Sequence, residues 1–73
     1  MKVKSLAANQ TEITLNNGDL IFVSYGTPVA AFISGRGYLK SSTKHSTTTT
    51  RHVNKWTENR AKEMPQEFFD NLI

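Results

Sequence analysis

A chain of 73 residues without cysteine is one small domain that neither disulfides nor thiolate-bound zinc can staple. That excludes the disulfide-rich secreted scaffolds and points to a reducing, cytoplasmic setting. The N-terminal MKVKSLAANQTE lacks the apolar run of a signal peptide, and no segment reaches the roughly 18 apolar residues of a membrane span, so no membrane association is expected.

The net charge of +3 is unevenly distributed. In residues 1–35, Lys2 and Lys4 balance Glu12 and Asp19. Residues 36–62 carry Arg36, Lys40, Lys44, Arg51, Lys55, Arg60 and Lys62 against Glu58 alone, a local +6. Glu63, Glu67 and Asp70 make the tail acidic. A basic middle favours a phosphate-bearing or acidic partner, whereas a merely solvated face is the plainer reading.

The first half predicts an antiparallel β-meander of three to four strands over residues 11–41. Thr11–Leu15 alternates with apolar side chains at 13 and 15, as a half-buried strand does. Asn17-Gly18 suits a type I′ hairpin turn. Leu20–Tyr25 is apolar enough to be covered on both faces. Gly26-Thr27-Pro28 interrupts it, and Val29–Ile33 resumes as a third strand. Gly35-Arg36-Gly37 forms a second tight turn, and Tyr38-Leu39-Lys40 begins a fourth strand.

In the second half the apolar period changes, so the fold class is α+β. Thr49, Val53, Trp56, Arg60 and Met64 fall on one helical stripe, which predicts a main helix over 47–63. Arg51, Lys55, Glu58 and Lys62 lie opposite, with Glu58 and Lys62 as a favourable i,i+4 pair. Pro65 ends that helix and suits the first turn of a short one over 65–73, with Phe68, Phe69, Leu72 and Ile73 on its apolar side. Between the halves stands KHSTTTTRH, residues 44–52. Four β-branched threonines could form a strand, but helix start is the favoured reading, with Ser46 or Thr47 as N-cap.

Two stretches carry a resemblance. Ser24-Tyr25-Gly26-Thr27-Pro28-Val29-Ala30, then Tyr38, then Ser46-x-Thr48-Thr49-x-Arg51-His52 resemble a small domain carried by many bacteriophage proteins. The likeness spans about residues 20–56, and Pro28 departs from the aliphatic residue often found in that pattern. It implies a phage-type origin, hence residence in a host cytoplasm, and a β-meander-plus-helix unit. No biochemical activity is attached to that family, so no catalytic residue is carried over.

The helix start is the most specific chemical feature. Unpaired N–H groups and the positive end of the helix dipole, with the hydroxyls of Ser46, Thr47 and Thr48 and the charges of Lys44 and Arg51, could hold a phosphate. His45 or His52 could add charge or stack on a base. Capping by one hydroxyl needs no ligand, however, and explains the serine equally well. His45 and His52 suggest an acid–base pair, but no nucleophile, base and orienting group can be assembled, so no enzyme is expected. Two histidines fall short of a zinc site, and no cofactor is implied. Trp56, Phe22, Phe32, Phe68 and Phe69 are expected to form the core, while Tyr25 and Tyr38 sit at strand ends, open to the surface.

The leading expectation is therefore a non-enzymatic nucleic-acid-binding protein. Its contacts would be Ser46, Thr47, Thr48, Arg51 and His52, supported by Lys40, Lys44, Lys55 and Tyr38. The alternative is an inhibitor or modulator that docks on an acidic host protein or lends it an edge strand. A homo-oligomer is the third possibility, because so thin a core gains from association.

Overall fold

The computed structural model describes residues 1–72. Ile73, the last position of the C-terminal apolar stripe, lies outside the described residues. The chain runs β1 (Lys2–Ala7), β2 (Gln10–Thr14), β3 (Leu20–Ser24), β4 (Thr27–Ile33), β5 (Gly37–Ser41), α1 (Thr47–Trp56), β6 (Lys62–Met64) and α2 (Gln66–Asp70). All the strands form one sheet in the order β1-β2-β3-β4-β5-β6, antiparallel except for the parallel β5–β6 pair. The α+β class holds, but the three-to-four-strand meander expected from the sequence undercounts the sheet by its two edge strands.

Both omissions have physical reasons. β1 is exposed along its whole length, so it has no buried face to impose a period on Lys2–Ala7. It turns into β2 through Asn9, which takes a left-handed φ of 61°. At the other edge, β6 comes from the region expected to be helical. The α1 helix ends at Trp56 rather than at residue 63, in a C-terminal motif without glycine. Thr57 is the C-cap, Glu58 and Asn59 turn left-handed with φ of 56° and 58°, and their N–H groups donate back to the carbonyls of Lys55 and Asn54. That is the Schellman pattern of bonds, with glutamate where glycine is usual. The expected Glu58–Lys62 helical pair therefore does not form, and Lys62 lies beside Leu39 in the sheet. The crossover through α1 lets β6 run parallel to β5, as a parallel neighbour requires.

Other boundaries shift too. Asn17-Gly18 does not make a type I′ turn, because only Gly18 has positive φ. Gly18 N–H donates to the Leu15 carbonyl at 3.0 Å and Leu15 N–H to Asp19 at 2.8 Å, a type I turn closed by a left-handed glycine. The type I′ geometry falls instead at Tyr25-Gly26, with φ of 51° and 78°, so β4 begins at Thr27 and includes Pro28. A bulge between Phe22 and Val23 sets Pro28 opposite Val23. The C-terminal helix is shorter than 65–73, with Pro65 as its N-cap.

Strand alternation sends neighbouring side chains to opposite faces. Phe22, Val29 and Ala30 pack under Val53 and Trp56 of α1. Ala31 and Leu39 pack under Phe69 of α2. The helices thus cover opposite faces of the sheet, and each face has a small core. Fully burying a phenylalanine such as Phe22 or Phe69 contributes about 1.5–3 kcal/mol. Trp56, Phe32 and Phe68 are only partly buried. Trp56 stacks on Phe22 at a centroid distance of 5.2 Å and donates its indole N–H to Glu12 at 3.0 Å, which fixes α1 over the sheet. No helix among the described residues is long and apolar enough to cross a membrane.

Candidate functional site

The threonine run is the first turn of α1, and Ser46 is its N-cap. The Ser46 hydroxyl accepts from Thr49 N–H at 3.2 Å and donates to Thr49 Oγ1 at 3.1 Å. Thr49 is buried, whereas Thr47, Thr48 and Thr50 are exposed. Capping and packing therefore engage the hydroxyls of Ser46 and Thr49. Thr47 and Thr48 keep their hydroxyls at the open end of the helix, where the first N–H groups have no intrahelical acceptor.

The buried side of this turn is a polar clamp. Ser24, 2 % exposed, sets its hydroxyl 3.5 Å from Thr49 Oγ1 and 3.5 Å from His52 Nδ1. Hydroxyls donate once, so a consistent proton order runs Ser46 to Thr49, Thr49 to Ser24, and Ser24 to the unprotonated Nδ1 of His52. Tyr25 then lies parallel to the His52 ring at 6.4 Å. Its left-handed backbone costs roughly 1–2 kcal/mol for a residue other than glycine, and the ring contact is what that conformation provides. The two stretches SYGTPVA and STTTTRH thus meet in space. A serine hydroxyl beside an imidazole is half of a nucleophile–base pair, but burial closes Ser24 to a substrate, and the clamp reads as the joint between hairpin and helix.

His45 is held elsewhere. Gln66 donates to the Pro28 carbonyl at 2.7 Å, which fixes the orientation of its amide. The Gln66 Oε1 then accepts from Ser41 at 2.6 Å and from His45 Nε2 at 3.1 Å, so that histidine carries its proton on Nε2. This hub ties α2, β4, β5 and the loop before α1 together. Tyr38 turns away from the helix start. It donates to Glu58 at 3.4 Å and packs edge-on against Phe32 and Trp56. Burial and the neighbouring Glu58 carboxylate raise its pKa above the usual tyrosine value. Sequence reasoning grouped it with the basic residues because it cannot see which way a strand-end side chain leans.

The remaining expected residues divide along α1. Lys40, Lys44 and His45 line a cavity of about 260 Å³ on one flank, together with Thr50, Asn54 and Glu63. His52 and Lys55 line a second groove on the other flank. Arg51 is exposed on the helix between them, with Thr47, Thr48 and Lys55. The sheet register adds two cations absent from the expected set. Lys4 pairs with Glu12, Glu12 with Phe22, Phe22 with Ala30, and Ala30 with Lys40. These side chains therefore share the face that α1 covers, and Lys2, two residues from Lys4, lies there as well. Charge alone does not mark them, because Lys2 and Lys4 are balanced by Glu12 and Asp19 within residues 1–35. Glu67 and Asp70 belong to α2, on the opposite side. Among the described residues, His, Asp and Glu do not gather into a group that could hold a metal ion.

Comparison with known proteins extends this picture by family alone. A family model described as a family of unknown function, DUF8033, matches residues 1–71. The chain belongs to the DUF8033 family. The match takes in the edge strand β1 and the α2 helix, so the whole sheet with both helices falls within the unit that defines the family. No curated protein and no solved structure matches this DUF8033 chain.

Proposed function

We propose that this chain is a non-enzymatic, phage-type accessory protein that binds nucleic acid through the α1 side of the sheet. One observation carries the reading. The cross-strand row Lys4, Glu12, Phe22, Ala30, Lys40, Glu63 puts a lysine on either flank of α1, each beside one carboxylate, while Arg51 and Lys55 project from the helix itself. Lysine and arginine spread over one face suit a phosphate backbone better than a single anion, because each phosphate takes its own cation. The open end of α1 adds Thr47 and Thr48 as hydroxyl donors, and Lys44 beside them adds charge. His52 and Ser46 act by positioning this helix. The direct test is titration of labelled single- and double-stranded DNA and RNA at low salt. Binding that is lost in Arg51→Ala/Lys55→Ala supports the reading. Absence of binding to every form, with the protein folded, ends it.

A second reading is favoured by β1. This edge strand has one unpaired side, and Val3 and Leu6 on it are 65 % and 38 % exposed. An unpaired edge can accept a strand from another protein, which is how a small phage-type modulator could dock on a host target. Capture of a protein partner that survives nuclease treatment and is abolished by Val3→Pro would favour this reading over the first.

A further inference from the structure

Resting on the nucleic-acid reading above, we infer that the groove between the β1–β2 hairpin and α1 takes one unpaired base of a single-stranded nucleic acid. The groove encloses about 330 Å³ and is lined by Leu6, Ala7, Gln10, His52, Lys55 and Trp56. That is the lower end of the range for small-ligand clefts, a size suited to a base rather than to a duplex.

Each wall has a part in holding such a ligand. Trp56 and His52 supply flat π surfaces, and base–aromatic stacking is tolerant of base identity. Both rings are already fixed, Trp56 by Phe22 and Glu12, and His52 by Ser24 and Tyr25. A preset stacking surface loses little freedom on binding. Leu6 and Ala7 close the apolar side. Gln10 brings a carboxamide that can both donate to and accept from a base edge. Lys55 stands at the groove and Arg51 one helical turn before it, placed to hold the phosphates on either side of the base. The opposite cavity has one imidazole, His45, but no tryptophan, and it carries a carboxylate, Glu63, so it lacks this combination. A paired base has its faces covered by its neighbours and cannot enter, so the ligand is a single strand, DNA or RNA.

The test uses the full chain and a mixed-sequence 12-nucleotide single strand, as DNA and as RNA, beside the corresponding 12-base-pair DNA duplex. Trp56 is the only tryptophan, so its emission reports on the groove directly. The single strands should bind about tenfold or more tighter than the duplex at equal salt and quench Trp56. Ala7→Leu, at an exposed position, fills the groove and should remove the single-strand advantage and the quenching while leaving duplex binding within about twofold. Preference for RNA over DNA would add a contact to the 2′-hydroxyl, and equal binding would place recognition in base and phosphate alone; both support the groove. If single strand and duplex bind equally and Trp56 emission is unchanged, the groove assignment is overturned and the phosphate-binding face stands. If neither binds, the nucleic-acid reading falls and the groove with it.

Discussion

Ser24 and His52, on a β-strand and a helix 28 residues apart, meet with Oγ and Nδ1 separated by 3.5 Å. Around this contact Tyr25 stacks on the imidazole and Thr49 completes the hydroxyl chain back to the helix cap. The clamp gives α1 one fixed orientation over the sheet. Arg51 and Lys55 project from that helix, so the geometry of the basic face depends on a buried polar joint.

Removing the cap should therefore loosen the helix start. Ser46→Ala takes away the acceptor for Thr49 N–H, a loss of about 1 kcal/mol. For a domain of this size that is a fall in Tm of roughly 4–8 °C. Thr47→Ala and Thr48→Ala, on the exposed side, should leave stability within about 0.5 kcal/mol of the parent. Thermal unfolding followed by circular dichroism separates the two classes. Equal losses at Ser46 and Thr48 would contradict the assignment of Ser46 as the cap.

Gln66, half-buried at the start of α2, should be sensitive to substitution. Its amide joins the Pro28 carbonyl, Ser41 and His45. Gln66→Ala removes all these bonds, and although Ser41 keeps another partner, Thr43 N–H, the cost should be about 1–3 kcal/mol. Glu67→Ala, one residue on and exposed, should change stability by no more than about 0.5 kcal/mol. Denaturant titration of both variants checks the difference.

Much of this architecture could be read in the residues, for reasons that can be stated. The strands from Thr11 to Lys40 have a buried face, and burial imposes alternation that survives in the sequence. Ser46 announces the helix start because hydroxyl capping is local chemistry. β1 escaped because nothing covers it. The true end of α1 escaped because Glu58 stands at a left-handed position where glycine would have signalled a stop. The candidate site was legible only in part. Lys40, Lys44, Arg51 and Lys55 could be named from charge, but Lys2 and Lys4 join them only through strand register, and register is a tertiary fact. The displacement of Tyr38 toward Glu58 and Trp56 has the same origin.

Tyr38 makes the alkaline limit of stability testable. Its folded-state pKa lies above the ordinary value of 10.0, through burial first and the charge of Glu58 second. The folded state thus binds the phenolic proton more tightly than the unfolded state does. That contribution is complete below about pH 10 and is lost as pH rises through the folded pKa. Above about pH 10 the parent should lose stability more steeply than Tyr38→Phe, which has no proton to release there. Urea unfolding at a series of pH values measures this, and parallel curves would contradict it.

On the proposed reading, the α1 side binds nucleic acid through its cations. That reading is tested most directly by the salt dependence of binding to a labelled single strand, compared between the parent and Arg51→Ala. Counterion release makes log Kobs fall linearly with log salt, by about 0.7 per phosphate neutralised on a single strand. The parent should show a steep slope, and Arg51→Ala should weaken binding at every salt concentration and reduce the slope by about 0.7. A parent that binds with no salt dependence, or an Arg51→Ala variant whose line coincides with that of the parent, would contradict the assignment of this face.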